Sequence, residues 1–279
     1  MIIGLILALA AGSALGLCLC TDAFATFAWL YMLPLGFVGG FLGGFLLAFL
    51  FLWLICSLVK MDVPQEHDSK FYRPVIGAYA DFIMTVLLVR IRKEGLEKLP
   101  KEGRFLLVCN HLFDLDPVAL LGVFKHSQLA FISKRENNKK FLVGPALHKL
   151  MGQPINREND REALKTILNC VRILQEDKAS IAVFPEGYTS RDNLLHPFRS
   201  GVFKIAQKAK VPIVVCTLQN TRSILHNAMR LKVTEVPLHL LAVIRPEEYQ
   251  GLTTVELANR VHDMMAEDLG PENVLKMEN

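Results

Sequence analysis

Phe105-Leu106-Leu107-Val108-Cys109-Asn110-His111-Leu112-Phe113-Asp114-Leu115-Asp116-Pro117 is the stretch on which the fold and the chemistry of this chain turn. Phe105–Cys109 is continuously apolar, as expected of a strand covered on both faces. Pro117 suits the first turn of a helix, and Asp116 before it is a natural N-cap. His111 therefore falls on the turn between a strand and a helix. On a regular helix, residues five apart point about 140° away from each other. On an irregular turn they can meet, and Asp116 could then fix the tautomer of His111 as an orienting acid does for a general base. The plain alternative is an N-cap beside an ordinary turn histidine.

Outward from this stretch, the chain divides by composition. Of its 279 residues, the first 59 carry Asp22 as their one charged side chain. Two apolar runs flank it, Met1–Thr21 and Ala23–Val59, and each exceeds the roughly 20 residues that cross a bilayer. Pro34 is expected to start the second helix, with Cys20–Leu33 as the turn. A cleaved signal peptide over Met1–Ala10 competes, but it lacks a basic n-region and a second apolar run follows at once. Gly36, Gly39, Gly40, Gly43 and Gly44 have small-xxx-small spacing, read as pairing the two spans rather than as a dimer seam.

All 31 Lys and Arg residues lie after residue 59, and the remainder carries about +5, suited to an anionic membrane surface or anionic ligands. Basic residues follow the second run (Lys60, Lys70, Arg73, then Arg90, Arg92 and Lys93), which predicts a cell-membrane protein with its large domain on the cytoplasmic side. Nothing implies a nucleic-acid partner. The six cysteines have no metal-site spacing and read as free thiols in a reducing compartment. The expected organisation is a membrane-anchoring helical hairpin over 1–59, a linker over 60–73 containing Pro64, and a catalytic domain over 74–279.

Pro74–Leu87 puts Val75, Ile76, Tyr79, Phe82, Ile83, Val86 and Leu87 on one helical face, and alternation from Leu88 to Arg92 predicts a strand. Beyond it, strands are expected at Arg104–Cys109, Gln128–Ile132, Ser180–Phe184, Val211–Leu218 and Leu238–Ile244. Helices are expected at Pro117–Lys125, Asn138–Met151, Asp160–Gln175, Ser200–Lys210 and Thr254–Leu269, the last with a Thr253/Glu256 capping box. This alternation predicts an α/β fold: a largely parallel central sheet flanked by helices, preceded by the hydrophobic hairpin.

In such sheets ligands bind at the carboxyl ends of the strands. Four expected strands lead there into polar groups: Asn110-His111, Ser133-Lys134, Pro185-Glu186-Gly187 and Gln219-Asn220. Gly152–Arg157 and Tyr188–Arg191 can reach the same edge and bring Arg157 and Arg191, whose planar guanidinium groups suit phosphate. A base with its acid, a buried carboxylate and several cations beside a membrane anchor point to a hydroxyl on a phosphate-bearing lipid attacking an activated carbonyl. The chain has no Gly-x-Ser-x-Gly elbow, so direct transfer is favoured over an acyl-enzyme. It has no His-Glu-x-x-His cluster and no Gly-rich phosphate loop of either nucleotide type.

With these residues in place, the chain resembles the glycerophospholipid acyltransferases. Four blocks match in order: Asn110-His111-x-x-x-x-Asp116-Pro117, Gly152-x-x-Ile155-Asn156-Arg157, Phe184-Pro185-Glu186-Gly187 and Val211-Pro212-Ile213-Val214. Pro197-Phe198-Arg199-x-Gly201 resembles the segment after the third block, and the likeness extends over about residues 70–260. The resemblance implies His111 as general base for the sn-2 hydroxyl of lysophosphatidic acid, with Asp116 stabilising the imidazolium. It implies Arg157, with Lys134 and Arg191, as holders of the phosphate, and Glu186 and Gly187 as positioners of the glycerol. The donor would be an acyl-CoA or acyl carrier protein thioester acting as co-substrate, without a metal or other cofactor. There are departures. Where the family continues the third block as Thr-Arg-Ser, this chain has Tyr188-Thr189-Ser190-Arg191, and Phe113 replaces a small polar residue of the first block. They leave open another acceptor, such as glycerol 3-phosphate or a different lysophospholipid. Readings of other classes are a non-catalytic lipid-binding protein and a phosphate-ester hydrolase.

Overall fold

The computed structural model describes residues 1–275; the expected end of the catalytic domain at 279 lies outside them. The chain forms two compact units, Met1–Lys60 and Met61–Asn279.

The first unit is a hairpin of α1 (Ile2–Cys20) and α2 (Trp29–Ser57), both long and apolar enough to cross a membrane. At 1.5 Å per residue they extend about 28 and 43 Å, against a hydrocarbon core of about 30 Å. Ile6, Ala10, Ala14 and Cys18, four apart, form the buried stripe of α1. Opposite them, a Cβ on Gly36 would lie 2.7 Å from Ala14 Cα, and one on Gly40 would lie 2.8 Å from Ala10 Cα. Gly39 and Gly43 face open space. The glycines at 36, 40 and 44 therefore let the two helices touch. Pro34 does not start α2. The amides of Tyr31 and Met32 already bond to Ala28 O, so Pro34 lies just past an established first turn.

Among the described residues, the second unit is built on seven strands: β1 (Val89–Glu94), β2 (Leu106–Cys109), β3 (Leu129–Lys134), β4 (Gln153–Ile155), β5 (Ser180–Val183), β6 (Ile213–Leu218) and β7 (Thr234–Ile244). Their order is β1-β7-β6-β2-β5-β3-β4. β6, β2, β5, β3 and β4 run parallel, whereas β7 is antiparallel to β6 and β1 follows β7. The sheet is thus mixed and mostly parallel. The helices are α3 (Tyr72–Val86), α4 (Asp116–Val123), α5 (Val143–Lys149), α6 (Asp160–Gln175), α7 (Lys204–Ala209), α8 (Ser223–Met229), α9 (Pro246–Tyr249) and α10 (Thr254–Leu269).

Side-chain alternation along β2 divides the core. Leu106 and Val108 pack with Ile167 and Cys170 of α6, Ile205 of α7 and Val261 of α10. Leu107 and Cys109 pack with Leu120 of α4 and Ile224 of α8. Helices on both faces leave the strand ends as the open edge.

The strong patterns fold as expected, α6 and α10 to the residue. The expected helix over 138–151 is instead a 3-10 turn, Arg135–Lys139, followed by α5. Pro145 has no N–H for an upstream carbonyl, so α-helix begins only at Val143. β4 and α8 are additions, three and seven residues long, too short for periodicity to mark.

Candidate active site

β2, β3, β5 and β6 end on one edge, as parallel strands must, and the polar residues after them gather there. Asn110 fixes the exit of β2. Its amide donates to Leu218 O at 2.9 Å and accepts from Leu218 N at 2.8 Å, so β2 and β6 are stapled at the point where the chain turns away.

His111 and Asp116 meet across that turn, Nδ1 to Oδ2, at 2.9 Å. The same Oδ2 accepts from Leu112 N at 2.7 Å and Phe113 N at 2.8 Å. Asp116 is therefore not the helix cap expected from sequence. Its carboxylate turns back into the preceding turn, where two amides and the imidazole offer it more than the helix end does, and Leu115 takes the N-cap position. Asp116 is fully buried. An ionised Asp116 makes Nδ1 the protonated nitrogen and leaves the Nε2 lone pair free to accept a proton. The ring is stacked on Phe184, centroids 4.2 Å apart and planes 18° off parallel.

Glu186 holds the backbone of this turn. One of its oxygens accepts from His111 N at 2.7 Å and the other from His196 N at 3.1 Å, while Ser190 N donates to His111 O at 2.8 Å. The side chain is fully buried, so it organises the loop without facing solvent. Burial raises its pKa to about 7; the two amide bonds pull against this, and Asp116 and Asp192 add to it.

The loop beyond Gly187 is tied by its own network. Asp192 takes Ser190 Oγ at 2.7 Å and Leu194 N at 3.0 Å, and His196 Nε2 lies 2.9 Å away. Burial opposes ionisation of Asp192, but these bonds outweigh it and hold the carboxyl well below the usual range. Tyr188 OH lies 2.9 Å from His196 Nδ1. The network aims Thr189 at the base: its Oγ1 is 3.0 Å from His111 Nε2 and 3.3 Å from Asp114 Oδ1. One hydroxyl proton serves one of these acceptors at a time.

The expected cations divide. Arg157, two residues past β4, is half-buried, and its pKa is lowered by burial and then by the nearby charge of Arg199, with Glu136 acting in the opposite sense. Arg199 lies across Gly187, whose φ is +85°; a Cβ there would come within 2.9 Å of Arg199 Nε. Glycine thus both allows the turn and makes room for the guanidinium. Lys134 is exposed at the end of β3, where its backbone pairs with Ile155 of β4, so it shares a corner with Arg157. Arg191 is exposed in the loop and makes no ion pair among the described residues. Sequence reading missed Arg199 and Thr189 as site residues. Arg199 was visible in Pro197-Phe198-Arg199-x-Gly201, but its proximity to Gly187 is a tertiary contact.

With a mostly parallel α/β sheet and a buried His-Asp pair at its carboxyl edge established, the chain is similar to the following known proteins. Residues 90–219 match the family model described as Acyltransferase. It is 34% identical over 133 residues to the chloroplastic 1-acyl-sn-glycerol-3-phosphate acyltransferase BAT2 of Brassica napus, covering 47% of this chain and 38% of that one. It is 27% identical over 194 residues to the 1-acyl-sn-glycerol-3-phosphate acyltransferase of Saccharomyces cerevisiae, covering 67% of this chain and 62% of that one. The chain thus spans less than two thirds of the length of these relatives. Its fold is like that of the 1-acyl-sn-glycerophosphate acyltransferase PlsC from Thermotoga maritima, with a TM-score of 0.61 and 21% identity, covering 82% of this chain and 89% of that one.

Proposed function

We propose that this protein transfers an acyl group from an acyl thioester to the sn-2 hydroxyl of 1-acylglycerol 3-phosphate, forming phosphatidic acid. One observation carries the reading: the free lone pair of His111 Nε2 faces an alcohol oxygen, Thr189 Oγ1, at 3.0 Å. An acceptor hydroxyl in that place would give its proton to Nε2 as its oxygen attacks the thioester carbonyl. Asp116 stabilises the imidazolium. The C–S bond then breaks, and the departing thiolate takes the proton. The relatives' names supply the acceptor and the chemistry of the site supplies the base.

Arg157 and Arg199, with Lys134 and Arg191 nearer the rim, hold the acceptor phosphate. Gly187 shapes the wall beside the glycerol, and Glu186 acts through the backbone of His111 as a positioning residue. The donor is acyl-CoA or acyl carrier protein thioester, and no cofactor is needed. In this reading the 1–59 hairpin anchors the chain in the cell membrane and residues 60–73 link it to the catalytic domain; the basic residues from Lys60 onward favour the cytoplasmic side for that domain.

The test uses the full chain in membranes, with labelled acyl-CoA and acyl carrier protein thioesters against a panel of lysolipids and glycerol 3-phosphate. Lysophosphatidic acid should be the best acceptor. A preference for another acceptor would trace to the Thr189 and Phe113 departures and replace the acceptor assignment. Thioester hydrolysis without transfer to any acceptor would overturn the reaction.

A further inference from the structure

The segment between β6 and β7 leaves the sheet from the same edge as His111, since Asn110 is bonded to Leu218 at the end of β6. It projects α8 and the turn after it. Ile224 roots α8 in the core, but Leu225, Met229, Leu231 and Val233 are exposed, Met229 at 80% and Leu231 at 85%. Arg222, Arg230 and Lys232 are exposed among them. No Asp or Glu occurs between Asp192 and Glu235, so this projection is apolar and purely cationic.

Leu231 deserves comparison with what helix ends ordinarily use. Lys232 N bonds to Asn227 O at 2.9 Å and Leu231 N to Ala228 O at 3.0 Å, the paired bonds of a Schellman motif. In that motif the residue with positive φ is usually glycine; here it is Leu231, at φ +52°. A leucine in a strained conformation, almost wholly in water, gains nothing from packing within this chain. The other loops of this edge add Phe141 and Tyr188, both exposed. The loops of the opposite edge, 95–104, 124–128, 150–152, 176–179, 210–212 and 245–253, carry no exposed large apolar side chain; Val255, in the first turn of α10, is exposed just beyond them.

We infer that residues 222–233 form a docking surface for anionic phospholipid, separate from the hairpin, that seats the edge bearing His111 on the lipid surface. Leu225, Met229 and Leu231 enter the region below the headgroups while Arg222, Arg230 and Lys232 meet lipid phosphates. Exposed apolar side chains interleaved with cations, in a segment that carries no carboxylate, match such a surface in both chemistry and charge; a protein partner would have to supply that pairing of apolar and anionic groups itself. The inference stands on the second unit alone and holds whether or not the proposed reaction does.

The test uses the full chain in nanodiscs, with a Cys20→Ser background because the other five cysteines are buried. Leu231→Cys and, separately, Met229→Cys carry an environment-sensitive fluorophore; Glu102→Cys, on the opposite edge, is the control. In discs containing anionic lipid, the labels at 231 and 229 should shift to the blue and be quenched by lipids with spin labels on their acyl chains. Arg230→Glu with Lys232→Glu, or high salt, should reverse both effects, and the label at 102 should stay aqueous. Labels at 231 and 229 that remain aqueous in anionic discs overturn the inference, whatever protein later covers them. A blue shift without quenching by spin-labelled lipid points to a second copy of the chain and overturns it too, as does equal quenching at 102.

Discussion

The two loops that build the site are organised in opposite ways. In the turn 111–116 the base and its orienting acid are five residues apart, and the amides that fix Asp116 are those of Leu112 and Phe113. The loop 186–199 closes on itself through Asp192 and His196, but its place against His111 is set by contacts far apart in sequence. Glu186 bonds to His111 N, Ser190 N to His111 O, and Arg199 crosses Gly187 to approach Arg157. On the proposed function the first loop carries the chemistry, and it could be read from its own sequence. The second would carry the position of the chemistry and the grip on the acceptor, and its arrangement exists only in the folded edge.

Mutations in the first loop should be the most damaging to turnover and the least damaging to folding. His111→Ala is expected to lower acyl transfer by roughly 100- to 10,000-fold, with a nearly unchanged melting temperature, because His111 is a surface-reaching turn residue. Asp116→Asn should approach the upper end of that range, since an amide neither fixes the tautomer nor stabilises the imidazolium. Steady-state kinetics and thermal melts on purified protein check both. Near-normal turnover in either would dissolve the distinction between the loops.

The next effect belongs to the grip. Arg157→Ala should raise the acceptor KM by roughly 10- to 100-fold, the worth of a charge-assisted hydrogen-bonded contact, and lower kcat less. Arg199→Ala should act in the same sense, and the double variant should lose less than the product of the two, because the guanidiniums share one anion. Arg157→Lys should restore only part of the loss. An unchanged acceptor KM with a weakened thioester KM would move Arg157 to the donor side.

Thr189→Val tests what the hydroxyl on Nε2 does. If it only holds the place of the acceptor, its loss should change acceptor KM by about 2- to 10-fold, one hydrogen bond's worth, and leave kcat nearly intact. A collapse of kcat would make Thr189 part of the chemistry.

Glu186 should give the smallest signal, in stability rather than rate. Its folded pKa, about 7, lies above its ordinary 4.5, so the fold favours the protonated acid. The stability this confers is complete at low pH and is lost as pH rises from about 4.5 through 7. Melting curves over that range should fall by a few degrees in the parent and less in Glu186→Gln. Parallel pH profiles would show that the carboxyl titrates normally.

The legible parts of the molecule are those whose physics is local. α6 and α10 announce themselves by three-four spacing and by the Thr253/Glu256 box, and the apolar strands by their unbroken runs. The pairing of glycines across the hairpin was legible as spacing, but only the packing shows that Gly36, Gly40 and Gly44 touch α1 while Gly39 and Gly43 do not. The role of Asp116 was half legible: its partnership with His111 followed from the turn, whereas its expected duty as a helix cap yielded to two amides of the preceding turn. Arg199 stood in a visible segment, but sequence distance hides its approach to Arg157, 42 positions earlier in the numbering. Thr189 appeared in sequence only as a departure, the loss of a cation. Its hydroxyl on Nε2 depends on the loop closing through Asp192 and His196.

The proposed mechanism requires Asp116 to fix the proton of His111 on Nδ1 and so present Nε2 to an acceptor hydroxyl. Nitrogen-15 NMR of histidine-labelled protein in lipid, at a pH where the ring is neutral, reads this directly, with the signal assigned by its loss in His111→Gln. A protonated Nδ1 and a bare Nε2 are expected, with that preference lost in Asp116→Asn. A neutral His111 carrying its proton on Nε2 would contradict it.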